Sequence, residues 1–319
     1  MSATLLVIVG LAGLVIGGEL LVRGAVSAAK SFGISPMVIG LTLVGFGTST
    51  PELVTSLQAA ISGSSGIAIG NVVGSNIGNI LLILGIAALI APLTVDPKAF
   101  RRDGAVMALA TLLCLGAVLW GDINRIVGLL FVAGLIIYLS FTLWSEKRAG
   151  GTPAAAVYEG EAEAVPGPDY ALGVSIGIAL AGLVITVFGA RILVSGAVSI
   201  AQAAGLSETV IGLTIVAIGT SMPELVAGII AVRKGQGDVA LGNVFGSNIF
   251  NILFILGITS VVQPMVVPPE IIRLDIWVMC AATAVLLLFA RTGWTISKRE
   301  GSLFFTAYAA YLSVLLLTQ

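Results

Sequence analysis

Long apolar runs, broken by glycine, proline or small clusters of charge, follow one another along this 319-residue chain. A membrane-spanning helix needs about 20 mostly apolar residues. The runs divide into ten such candidates, at 3–22, 36–61, 67–91, 104–120, 125–145, 171–190, 208–231, 239–262, 275–290 and 302–318. The pattern predicts an all-α integral membrane protein with ten transmembrane helices. Composition agrees: with 58% hydrophobic and 10% charged residues, a chain of this size could not keep its surface wet as a soluble globule. The opening run lacks a basic n-region and a small-residue cleavage site, so it reads as a first span and not as a removable signal.

Polar residues inside the runs are few and patterned. Gly47-Thr48-Ser49-Thr50-Pro51-Glu52 recurs as Gly219-Thr220-Ser221-Met222-Pro223-Glu224, each copy setting one carboxylate within an apolar run. An ionised side chain at membrane depth costs about 3 kcal/mol or more, so a glutamate in both places points to an ion pathway. Downstream of each, Gly-Asn-Val-x-Gly-Ser-Asn-Ile-x-Asn appears at 70–79 and again at 242–251.

Glu224 follows Glu52 by 172 residues, and this offset holds without a gap from Gly24 and Gly196 to Pro92 and Pro264. Between 70–86 and 242–258 only Val73/Phe245, Gly78/Phe250 and Leu82/Phe254 differ, and Arg101-x-Asp103 returns as Arg273-x-Asp275. Five spans per copy is an odd number, so the second copy should enter the membrane from the opposite face, giving two inverted five-helix repeats. Charge placement points the same way. With the N-terminus outside, Arg23, Lys30, Lys98, Arg101, Arg102, Lys147, Arg148, Arg233, Lys234, Arg291, Lys298 and Arg299 fall inside, and only Arg125, Arg191 and Arg273 fall outside. The expected organisation is a first repeat at 1–145, a cytoplasmic linker at 146–170 and a second repeat at 171–319, with both termini outside a plasma membrane. The linker's Gly, Pro and spaced Glu159, Glu161 and Glu163 read as a solvated, flexible connection.

The motif residues suit a hard cation, which prefers oxygen ligands. Pro51 and Pro223 cannot donate a backbone hydrogen bond, so each should break its helix just ahead of the glutamate and free carbonyls nearby. Thr48, Ser49, Thr220 and Ser221 add hydroxyls. Ser75 and Asn79, like Ser247 and Asn251, stand four apart and so share one helix face. Taken singly, Asn71 and Asn76 are more readily explained by bonds between helices than by a role in the site. Gly70, Gly74 and Gly78 at spacing four permit tight helix contact. The chain has no histidine, which removes the usual relay for protons near neutral pH, and Cys114 and Cys280 lie in different runs without metal spacing. A net charge of −1 offers no basic field for nucleic acid.

These paired motifs, in a five-plus-five arrangement over nearly the whole chain, resemble the sodium/calcium exchanger family of the cation/calcium antiporter superfamily. The short linker resembles that of its prokaryotic members. The resemblance implies Na⁺ and Ca²⁺ as transported ions and no cofactor. It implies a site where the second, third, seventh and eighth helices meet, with the first and sixth as a sliding pair. Carried over by position, Glu52, Glu224, Thr48 and Thr220 would bind Ca²⁺. Outer sodium sites would use Ala217, Thr220, Ser221, Glu224 and Ser247. Inner ones would use Gly45, Thr48, Ser49, Glu52 and Ser75, with Asn79 and Asn251 lining the middle. Several exchangers carry Asp where this chain has Asn251, so the central site here has two formal negatives, which one Ca²⁺ or two Na⁺ would neutralise.

The reading that follows is an antiporter in which Na⁺ and Ca²⁺ compete for the same glutamates. Proton/calcium exchange on those glutamates is the alternative, although the proton-coupled branch typically has a glutamate soon after its Gly-Asn pair and this chain has Val-x-Gly-Ser-Asn there. A passive cation channel is a third reading. An intramembrane enzyme lacks any nucleophile-base set or zinc spacing to support it.

Overall fold

The computed structural model describes residues 2–32, 45–149 and 170–317. Its architecture is helical: α1 (Ala3–Ser31), α2 (Gly45–Thr48), α3 (Thr50–Ile61), α4 (Ser65–Ile90), α5 (Pro97–Trp120), α6 (Arg125–Ala149), α7 (Leu172–Ala204), α8 (Glu208–Thr220), α9 (Met222–Arg233), α10 (Gly237–Val262), α11 (Ile271–Arg291) and α12 (Lys298–Leu317). Among the described residues eight of these helices are long and apolar enough to cross a membrane, and α8 with α9, bent by 46° at their break, count as a ninth when the pair is taken as one span. The remaining expected span, 36–61, is represented by α2 and α3; its first part lies outside the described residues, as do Glu159, Glu161 and Glu163 of the expected linker.

Local chemistry explains most of the boundaries. Ser2 caps α1 by accepting from the Leu5 amide at 3.3 Å, and Ser207 caps α8 by accepting from the Val210 amide at 3.3 Å. Gly205, at φ +66°, closes α7 in the left-handed conformation that a side chain resists. Two helices outrun their expected bounds. α1 continues past residue 22 to Ser31, so the Glu19–Arg23 ion pair is a step on its side and not at its end. α7 continues past 190 to Ala204, because nothing between Arg191 and Gly205 stops it. Its 33 residues rise about 50 Å, well beyond an apolar layer of about 30 Å.

Helices α4 and α10 are mostly buried, whereas only a minority of the residues of α1, α6, α7 and α12 are buried. Large apolar side chains such as Leu129, Ile137, Leu180 and Phe188 stand on the outside, and Glu52, Asn71, Ser75 and Glu224 lie within. This arrangement is the one a hydrocarbon solvent selects.

Helices α1 and α7 pack along their length in antiparallel contact, through glycines. A Cβ at Gly10 would stand 2.5 Å from the Leu193 amide nitrogen, one at Gly13 3.1 Å from the Gly189 Cα, and one at Gly189 2.8 Å from the Leu14 nitrogen. The contacts are reciprocal under the 172-residue offset: Gly10 meets Leu193 and Gly182 meets Leu21, Gly24 meets Ala179 and Gly196 meets Val7. Two small antiparallel ribbons show the same exchange. β1 (Leu93–Thr94) pairs with β4 (Thr295–Ile296), and β2 (Asp122–Ile123) pairs with β3 (Met265–Val266), so each ribbon joins one half of the chain to the other. Buried Asp103 and Asp275 also match: Tyr138 donates to the first at 3.1 Å and Tyr311 to the second at 2.8 Å.

Candidate ion-binding site

Each glutamate stands in the first turn of a helix that begins at a break. Ser49 and Ser221 leave helical geometry, with ψ of 3° and 10°, and Pro51 and Pro223 follow in the first turns of α3 and α9, where a missing amide proton costs nothing. The expected breaks are therefore present in both copies. Glu52 and Glu224 occupy the positive ends of these helices, which favour a carboxylate without supplying a full countercharge.

The two halves interlock crosswise around these carboxylates. Ser221 donates to Glu52 Oε1 at 3.0 Å, and its hydroxyl also lies 3.0 Å from that of Ser75. The Thr220 side chain reaches Glu52, while Thr48 hydrogen-bonds Glu224. The second motif thus holds the first motif's glutamate, and the first holds the second's. Asn79 donates to Asn248 Oδ1 at 3.3 Å and links the midpoints of α4 and α10.

Every residue expected at the site is now placed. Glu52, Thr220, Ser221 and Ser75 share one hydrogen-bonded group, and Glu224 with Thr48 makes a second. Ser49 is buried beside the break in the first motif. Asn79 and Asn251 are buried at matching positions, where the α4 and α10 backbones loosen into wider π-type turns over Asn79–Ile83 and Asn251–Leu256. Ala217 is buried in the last turns of α8, and its carbonyl accepts from the Ser221 amide at 3.1 Å. Gly45 opens α2. Ser247 is buried, yet no hydrogen bond among the described residues joins it to the others, unlike its counterpart Ser75.

Asn71 is more central than its single position suggested. Its amide donates to Ser56 Oγ at 2.9 Å and to the Glu52 carbonyl at 3.3 Å, and its Oδ1 lies 3.1 Å from the Thr220 hydroxyl. Its counterpart Asn243 has an Oδ1 without a partner among the described residues, and Gly228 stands where the first half has Ser56, the acceptor for the Asn71 amide. The comparison of Ser56 with Gly228 was the available signal.

Four buried oxygens here have no hydrogen-bond partner among the described residues: Ser49 Oγ, Glu52 Oε2, Asn79 Oδ1 and Glu224 Oε2. The ion pairs among those residues, Glu19–Arg23 and Arg102–Asp103, involve neither glutamate. Among the described residues no third Asp, Glu, His or Cys joins them in a cluster. Buried polar oxygens left without partners cost free energy, and unpaired buried charges cost more. Two carboxylates ringed by hydroxyl and amide oxygens are a donor set for hard cations. Beside the site, a narrow crevice of about 20 Å³, room for about one water, lies between α4, α8, α9 and α12 and reaches Ser221.

Known proteins bear on this arrangement. The family model described as sodium/calcium exchanger protein matches residues 2–144 and 174–317. A putative antiporter, CaxA of Alkalimonas amylolytica, is 40% identical over 97% of each chain. The sodium/calcium exchanger MaX1 of Methanosarcina acetivorans is 36% identical over 98% of this chain and 97% of its own. A structure of the sodium-calcium exchanger NCX_Mj soaked with Na⁺ and Sr²⁺ superposes with a TM-score of 0.65 at 31% identity, covering 98% of this chain and 97% of that one. With its motifs, its buried carboxylates and its full-length likeness to these transporters, the chain belongs to the sodium/calcium exchanger family.

Proposed function

We propose that the protein exchanges Na⁺ for Ca²⁺ across the plasma membrane by alternating access, both ions competing for a site built on Glu52 and Glu224. The carrying observation is the pair of buried carboxylates, each with an oxygen lacking a partner and neither in an ion pair among the described residues. One Ca²⁺ or two Na⁺ neutralises two carboxylates. An empty site keeps two negatives inside an apolar barrier, so it resists crossing, whereas a filled one crosses. Competition between the ions, not simultaneous occupancy, is then the coupling. Thr48, Thr220, Ser221, Ser49, Ser75 and Asn79 supply neutral oxygens, with Ser247 and Asn251 added as the site rearranges.

The halves act as inverted repeats, 1–145 and 171–319, joined by a cytoplasmic linker, with both termini outside. The reciprocal α1–α7 contacts support this reading. So does the pairing of β1 with β4 and β2 with β3, since each ribbon needs its two loops on one face of the membrane. The test is ⁴⁵Ca²⁺ flux into proteoliposomes under sodium, potassium or proton gradients. A sodium gradient is expected to drive accumulation, and Glu52→Gln or Glu224→Gln to abolish it. Accumulation driven by a pH gradient without sodium would replace the reading with proton exchange. Full sodium-driven flux in either variant would end it.

A further inference from the structure

The two halves are nearly identical where they form the core, so their few differences carry information. The crevice beside the site is lined by Gly78, Leu82, Ile218, Ser221, Leu225 and Tyr308, and it follows α4 toward the β1 end. Under the 172-residue offset its mirror image should follow α10 toward the β3 end. There Gly78 becomes Phe250, Leu82 becomes Phe254 and Ile218 becomes Phe46. These three rings meet one another. Phe46 packs edge-on against Phe250 with centroids 4.9 Å apart and against Phe254 at 4.6 Å, and Phe250 stands 6.3 Å from Phe254. Two of the three substitutions that separate residues 70–86 from 242–258 thus converge with a third, from another helix, on the mirrored position of that narrow crevice.

We infer that Phe46, Phe250 and Phe254 form an aromatic barrier that closes the second access path to the site, making the two paths unequal. The inference rests on the inverted relation of the halves proposed above. Side-chain volume supplies the physical reason. A glycine and two aliphatic residues leave room beside Ser221, whereas three phenylalanines in edge-to-face contact fill the equivalent room beside Ser49 and exclude hydrated ions. Under the proposed topology the crevice opens to the cytoplasm, and the barrier closes the outer side.

The test is thiol labelling in a Cys114→Ala, Cys280→Ala background with a membrane-impermeant cationic methanethiosulfonate, applied to intact cells and to inverted vesicles. Leu225→Cys, in the crevice, is expected to react from one face, and its mirror Leu53→Cys to be protected from the other. Adding Phe250→Gly and Phe254→Leu, the residues the first half carries, should raise labelling of Leu53→Cys from that other face by about tenfold, the scale of losing two ring contacts. To separate a local opening from unfolding of the helix by the double change, Phe254→Leu alone is tested in parallel and should give the same direction. Unchanged Leu225→Cys labelling reports an intact fold. Rapid labelling of Leu53→Cys with all three rings present, or no rise in the Phe254→Leu variant, would overturn the barrier. Labelling needs no gradient, so sodium-driven Ca²⁺ uptake by the cysteine-free parent tests the exchange reading separately.

Discussion

Single residues decide how each half satisfies its buried acids. Asp103 accepts from Tyr138 and is paired with Arg102 at 2.7 Å, but Leu274 stands where a second arginine would be, and Asp275 relies on Tyr311 with its Oδ2 left without a partner among the described residues. Tyr311→Phe should therefore destabilise the protein by about 1–3 kcal/mol, the cost of stranding a buried acceptor. Tyr138→Phe should cost less, because Asp103 keeps its arginine. Thermal unfolding in detergent makes the comparison, and an equal loss in the two variants would refute the argument. The same logic explains what could be read in advance. The two glutamates were legible because charge in an apolar run is conspicuous, and the prolines announced the breaks. The threefold role of Asn71 was not, since it depends on Ser56 and Thr220 arriving from other helices.

At the level of helices, α1 and α7 touch through glycines with backbone against backbone, and this close approach allows little room for a side chain. Gly10→Ala would press a methyl to within 2.5 Å of the Leu193 nitrogen, an overpacking expected to cost about 1–3 kcal/mol. Gly173→Ala, with nothing within 4 Å of the added atom, should be neutral or slightly stabilising. The melting temperatures of the two variants check this; a neutral Gly10→Ala would mean that the helices part easily. Helix existence was plain from apolar length. The ends of α1 and α7 were not, because a charged residue such as Arg23 or Arg191 can lie on an exposed face of a helix without ending it. The bend between α8 and α9, in contrast, follows directly from Pro223 and the glycine and serine ahead of it.

For the molecule as a whole, one site shared by competing ions has a kinetic signature. Raising Na⁺ on the side that presents Ca²⁺ should raise the apparent KM for Ca²⁺ and leave the maximal rate unchanged, as initial rates of ⁴⁵Ca²⁺ uptake would record. A falling maximal rate at constant KM would indicate separate sites. The duplicated motifs made the overall plan legible, since a fixed offset in sequence becomes an exchange relation in space. How the halves hold one another was not legible, because the ribbons are two residues long and carry no strand pattern.

Those ribbons also bear on how the chain comes to be assembled. The backbone of Leu93 and Thr94 pairs with that of Thr295 and Ile296, some two hundred positions later. Until the last helices are synthesised, the earlier half waits in the bilayer with that edge unmated, and the ribbon at Asp122 and Ile123 waits for Met265 and Val266. Completion is therefore a late event, in which residues of the second half lock those of the first into place.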